Sequence, residues 1–272
     1  MEREETLDIL LKNGVVFPAN ENVSKILDVL NASDGENKEL VNVIRKNVRA
    51  TLKILSVANS PLYGLPRRVY NLAFAAVIIG FEHIRNIVIA LDLNSSIAKP
   101  SGNFHFYLHN KHSVLTAMIS KYLYEKMNLN KNAMGYSIGL LHNCGIPILS
   151  QKMKNFSETT KHIISIENEK NIFGITRYEM SSAVLEKLNF PREICEVIKN
   201  CETPSEAGNY SVHASILNFA SVLAKAIINE KEWYISTALN ENYLSTPILK
   251  DIADELLDTS FDDLRKEFKF EM

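Results

Sequence analysis

The chain has 272 residues and a net charge of −2 at pH 7, with 46% hydrophobic and 23% charged residues. This composition is ordinary for a soluble globular protein, and the length allows one large domain or two small ones. The acidic start of the chain argues against a secretory signal, and the longest apolar run, residues 72–81, is too short for a membrane span. Three cysteines without a CxxC pair indicate reduced thiols, so we expect a cytoplasmic protein.

Acidic and basic residues are segregated along the chain. Residues 1–36 hold eight acids against three bases, and residues 250–272 hold eight against four. Between them, residues 37–68 hold seven bases and a single acid, Glu39. The chain is therefore polarised locally although its net charge is small.

The hydrophobic pattern predicts helices and no strands, so the predicted fold class is all-α. Helices are predicted within 1–14, 18–30, 40–55, 72–81, 104–127, 133–149, 156–169, 176–189, 212–229 and 248–268. The segment 40–55 has one apolar stripe and is expected to form a single long helix, whereas 72–81 is apolar on every side and is expected to be buried. The polar stretch Asn94–Asn103 is the predicted linker.

The turn after the long helix carries the most specific pattern in the chain. Proline disfavours the helical region for the residue before it, so Asn59-Ser60-Pro61 ends the helix. The ordered set around this turn comprises Leu55, Ala58, Asn59, Ser60, Tyr63, Gly64, Ala76, Ile79, Gly80, Ile84, Arg85 and Asn86. It resembles the HDOD family, the HD-related output domains of bacterial signalling proteins, over about Val15 to Ala226. One departure is Asn47-Val48, where the family often has Asp-Pro.

The resemblance implies a fold and a function. The fold is an HD-like helical bundle in which an N-terminal helical subdomain, 1–98, packs on a C-terminal HD-derived subdomain, 99–272. Structural roles fall on the motif residues Asn59, Ser60, Pro61, Tyr63, Gly64 and Gly80. Because HDOD proteins resemble output or scaffold modules, the implied function is regulation by protein–protein interaction in a bacterial signalling pathway, without catalysis.

The segment 139–145 resembles the part of HD-type phosphohydrolases in which a His-Asp pair helps to hold catalytic metal ions. His142 matches that histidine and His112 matches an earlier helical one, but Asn143 replaces the aspartate. An amide is a weaker ligand than a carboxylate for a hard cation, and Arg177, aligned with a further histidine, has only donors. The remaining ligand positions correspond to Asn200-Cys201 and Ser221. The resemblance therefore implies no bound metal, no cofactor and no enzyme activity, with His112 and His142 as remnants.

Two further patterns have structural alternatives. Residues 135–139 match the GxSxG nucleophile elbow, but the residues before them cannot form the strand that this motif requires, so close packing of two helices is favoured. His105, His109 and His112 share one helix face and could bind a transition metal. The favoured interpretation is a partly exposed helix face without a metal.

Basic residues at helical spacing predict an interaction surface. Arg45, Arg49 and Lys53 are spaced by four and form a predicted cationic ridge, which Arg67 and Arg68 extend after the turn. Such a ridge can follow phosphates, but no aromatic residue is interleaved for base stacking. We therefore expect a protein partner with an acidic surface, rather than nucleic acid or a membrane. The alternatives are a ridge that docks the chain's own acidic ends, nucleic-acid binding by the ridge, and an HD-type phosphodiesterase with an incomplete metal site.

Overall fold

The computed structural model describes residues 37–45, 48–59, 63–67, 69–81, 83–84, 86–88, 106–129, 132–151, 166–187, 190–229, 247–259 and 263. Every regular element in these ranges is a helix, which confirms the all-α fold class. The chain forms two compact units, and the described residues of the first lie within 16–96 and those of the second within 97–267. The predicted linker Asn94–Asn103, the boundary at 98 and the helices predicted within 1–30 lie outside the described residues, so the domain limits stay a prediction.

The first unit contains α1 (Asn37–Arg45), α2 (Val48–Ala58) and α3 (Leu72–Ile79). The prediction of one long helix over 40–55 is wrong, because the Thr51 hydroxyl donates a 3.1 Å hydrogen bond to the Ile44 carbonyl. Residues seven apart lie about 10 Å apart along a straight helix, so α1 and α2 follow different axes.

The apolar stripe continues through both helices because each of them buries its share of it. Val41 and Ile44 of α1 are buried, as are Ile54 and Val57 of α2, and the two helices contact each other. A packed pair of short helices therefore gives the same sequence periodicity as one long helix. Arg45 and Lys53, eight residues apart, consequently do not share one helix face, because they lie on different helices.

Helix α3 has one buried face and one exposed face, although its side chains are all apolar. Its inward residues are buried: Leu72, Ala75, Ala76 and Ile79. Phe74 and Val77, by contrast, are 55% and 67% exposed. The prediction that this helix is buried on every side is therefore wrong, since an apolar residue can face outward as well as inward.

Both ends of α3 are defined by its flanking residues. Asn71 caps the start, because its Oδ1 accepts hydrogen bonds from the backbone N–H groups of Ala73 (2.9 Å) and Phe74 (3.2 Å). Gly80 ends the helix with φ 84° and ψ 152°, a conformation close to one that is essentially restricted to glycine. The predicted motif residue Gly80 thus fixes where the chain leaves α3.

The second unit contains the remaining helices. They are α4 (Phe106–Lys126), α5 (Asn132–Leu141), α6 (Ile146–Gln151), α7 (Ile166–Phe173), α8 (Arg177–Lys187), α9 (Arg192–Lys199), a 3₁₀ helix (Pro204–Tyr210), α10 (Ser211–Asn229) and α11 (Pro247–Asp258). Helix α4 packs along both α5 and α10, and this trio forms the centre of the unit.

The GxSxG residues 135–139 lie within α5, so the strand that a nucleophile elbow needs is absent from this part of the described chain. A Cβ built on Gly139 would lie 2.5 Å from Ala117 Cα, so α4 and α5 touch backbone to backbone. This confirms the interpretation that small residues allow two helices to approach closely.

The segment Pro204–Ile228 is long and apolar enough to cross a membrane by length and composition alone. It is not one straight helix, because Gly208, within the 3₁₀ helix before α10, has a non-helical backbone conformation with φ 55°. Its most apolar stretch is 67% buried within the fold. The segment therefore has the character of a core helix, which passes the same test.

Candidate functional site

Polar side chains from several helices meet in the core of the second unit. His112 of α4 and His142, which directly follows α5, have ring centroids 5.2 Å apart. The Tyr178 ring of α8 stacks on His142 with ring centroids 6.2 Å apart. Asn143 and Ser221 of α10 complete the group, and all of these residues are buried. The structure thus brings together four of the positions that the HD resemblance aligns, and we call these four residues with Tyr178 the polar centre.

The tautomer of His112 follows from its two hydrogen bonds. Its Nε2 lies 2.9 Å from the Ser221 carbonyl oxygen, an acceptor only, so Nε2 carries the proton. Its Nδ1 then has the lone pair, and the Asn143 amide nitrogen donates to it over 3.1 Å. His112 is therefore neutral, and a hydrogen-bond donor occupies the lone pair that a metal would need.

The second histidine has the opposite tautomer. His142 Nδ1 lies 2.7 Å from the Gly139 carbonyl oxygen and so donates its proton there. Its Nε2 faces the Ser221 hydroxyl at 3.4 Å, which makes Ser221 the donor. Both imidazoles thus point their lone pairs at donors of the protein itself.

The Asn143 side chain uses only one of its two polar atoms in a hydrogen bond with the described residues. Its amide nitrogen is directed at His112, and its Oδ1, which is also buried, accepts no hydrogen bond from any described residue. One neutral amide oxygen is a poor substitute for the carboxylates that bridge two metal ions. Within the described ranges, no cluster of three or more His, Cys, Asp or Glu side chains could hold a metal ion.

A buried ion pair lies at the start of α8. The Arg177 guanidinium contacts Glu169 of α7 with an N–O distance of 2.6 Å, and the other Glu169 oxygen accepts from the Arg177 backbone N–H at 2.8 Å. Each oxygen of the Glu169 carboxylate therefore contacts Arg177. Arg177, a cation without acceptor atoms, thus occupies a position where the HD resemblance places a metal ligand.

The turn that carries His142 and Asn143 is held against α8. The Ser181 hydroxyl donates to the Arg177 carbonyl (2.8 Å) and accepts from the Gly145 backbone N–H (2.9 Å). A Cβ on Gly145 would lie 2.7 Å from the Ser181 nitrogen, so only glycine fits here without movement. The His-Asn pair is thus positioned by contacts between its turn and α8.

Electrostatics keep the two histidines of the polar centre uncharged. Burial lowers the pKa of His112 from 6.5 to about 4, with Arg177 and Lys225 adding to the shift and the Ser221 hydrogen bond opposing it. Burial also lowers the pKa of His142 well below its usual range, and His112 and Arg177 add to this. The histidines are therefore neutral at pH 7, and their hydrogen-bond partners suit the neutral form.

Two of the three helix-spaced histidines, His109 and His112, lie in the described part of α4, so a site shared by all three stays untested. His112 belongs to the polar centre, His109 is half-buried one turn earlier on α4, and His105 lies outside the described residues. Burial lowers the pKa of His109, and His112 and Arg177 lower it further.

The residues of the predicted motif around Asn59 form a hydrogen-bonded corner. The Asn59 amide nitrogen donates to the carbonyls of Leu55 (2.7 Å) and Val69 (2.8 Å), and its Oδ1 accepts from the Val69 N–H (2.6 Å). Asn59 is exposed, and these contacts tie the end of α2 to Val69, three residues before α3 begins. Gly64 has φ 56°, which favours glycine.

Other residues of the corner are less fully described. Tyr63 is half-buried, and burial raises the pKa of its hydroxyl well above the usual range. Ser60 and Pro61 lie outside the described residues.

The predicted cationic ridge is divided between different elements. Arg45 ends α1 and is exposed, and Arg67 is exposed in the corner. Lys53 of α2 is half-buried, and burial lowers its pKa. Arg68 and the side chain of Arg49 lie outside the described residues. The ridge as a partner surface stays a prediction.

Two features were missing from the sequence interpretation. Glu169 follows a polar stretch and precedes Arg177 by eight residues, so no local pattern indicates that it is buried against that arginine. The exposed apolar face of α3 was hidden by the uniform apolarity of its residues, because a helix without polar positions gives no periodic signal.

The sequence model of the HDOD domain matches residues 17–204. The chain belongs to the HDOD family. The resemblance carried by Asn59, Gly64 and Gly80 is thereby confirmed. A comparison with curated proteins gives no match.

Solved structures share the fold of this HDOD protein. An HDOD domain protein of unknown function from Geobacter sulfurreducens has a TM-score of 0.72 at 18% identity, covering 99% of both chains. A candidate phosphohydrolase from Shewanella amazonensis SB2B has 0.68 at 18%, covering 97% of this chain and 96% of that one. A candidate signal transduction protein from Marinobacter aquaeolei VT8 has 0.61 at 19%, covering 98% of this chain and 66% of that one. At such identities the likeness shows the fold alone.

Proposed function

We propose that this HDOD protein is a non-catalytic regulatory module that acts in a bacterial signalling pathway by binding another protein. The observation that carries the proposal is the polar centre. The His112 lone pair accepts from Asn143 at 3.1 Å, the His142 lone pair faces the Ser221 hydroxyl at 3.4 Å, and the Glu169 carboxylate is bound to Arg177. A hydrolytic metal centre needs free lone pairs and carboxylates.

The chemistry of the polar centre is that of a structural core. Each histidine has a fixed tautomer, and Arg177 and Glu169 are bonded to each other. Removing one member would leave a buried polar group without its partner, which costs about 1–3 kcal/mol. In this proposal the polar centre holds α4, α5, α8 and α10 together.

The cysteines support a cytoplasmic setting for this function. Cys144, Cys195 and Cys201 are free and buried. Burial raises the pKa of Cys195 to about 11 and that of Cys144 to about 12, so the thiolate that oxidation requires is scarce at neutral pH.

The competing function is that of an HD-type phosphodiesterase, and the name of the Shewanella amazonensis relative motivates it. The test is hydrolysis of a chromogenic phosphodiester and of cyclic dinucleotides by purified protein with added manganese. We expect no turnover above that of a preparation without the protein. Turnover that is lost in His142→Ala and retained in His213→Ala, a histidine outside the polar centre, would contradict the proposal.

A further inference from the structure

We draw no further inference here: the strongest candidate, the exposed apolar face of α3 at Phe74 and Val77, carries none because nothing in the described part of the structure shows what covers it.

Discussion

At the scale of single residues, the polar centre depends on two histidines that stay neutral. His112 donates from Nε2 and accepts at Nδ1, and His142 does the reverse. Protonation of either ring would place a second N–H against a donor. The hydrogen bonds and the burial of the rings therefore both favour the neutral state. Protonation would break one hydrogen bond of the ring that it charges.

The pH dependence of stability follows from the pKa of His112. In the unfolded chain its imidazole binds a proton below about pH 6.5, whereas in the folded protein it does so only below about pH 4. Between these values the unfolded state holds more protons, so the free energy of unfolding falls as the pH falls. The stabilisation is complete above pH 6.5 and is lost on the way down to about pH 4. We expect one such histidine to contribute a slope of up to about 1.4 kcal/mol per pH unit in urea denaturation.

The variant His112→Gln isolates this contribution. Glutamine can still form hydrogen bonds with neighbouring backbone but does not titrate. The free energy of unfolding of this variant should therefore change less steeply between pH 6.5 and 4 than that of the wild type. Comparing slopes rather than absolute stabilities removes the cost of the substitution itself. Equal slopes would mean that His112 does not stay neutral in the folded protein.

At the scale of elements, α4 and α5 approach each other closely because Gly139 has no side chain. A Cβ on Gly139 would meet Ala117 backbone atoms at 2.5 and 2.6 Å, whereas a Cβ on Gly135 would meet the Tyr124 ring at 2.8 Å. Backbone atoms cannot rotate aside, but a ring can shift. We expect Gly139→Ala to lower the free energy of unfolding by about 1–3 kcal/mol or more, and Gly135→Ala to lower it less.

Urea denaturation of both variants beside the wild type checks this order. A loss for Gly139→Ala that is smaller than the loss for Gly135→Ala would show that the two helices are not in backbone contact at Ala117.

The elements also show what sequence periodicity can and cannot predict. Most helices were indicated by their apolar spacing, but α1 and α2 appeared as one helix because both bury the same stripe. The contact from Thr51 to Ile44 that separates them has no sequence signal. The single helix predicted over 133–149 is likewise wrong, because α5 ends at Leu141 and α6 begins at Ile146, and α9 and the 3₁₀ helix were not predicted. Similarly, the uniform apolarity of α3 predicted burial, and only its packing shows that Phe74 and Val77 face outward.

At the scale of the whole molecule, the fold class and the family were predictable from the sequence. The absence of alternating patterns excluded strands, and the ordered motif around Asn59 and Gly80 is long enough to be specific. The HD resemblance also identified the residues that meet in the polar centre, because it aligned His112, His142 and Asn143. It did not reveal how they bond. Tautomers and the Glu169–Arg177 pair depend on tertiary distances that no local pattern encodes.

The central claim is that the polar centre is a hydrogen-bonded core and not a metal centre. The most direct test is the metal content of the purified protein by mass spectrometry, after incubation with manganese, iron or zinc and removal of free ions. We predict well below one metal ion per chain, unchanged in His142→Ala relative to the control His213→Ala. About one tightly bound ion per chain, lost in His142→Ala and kept in His213→Ala, would contradict the claim.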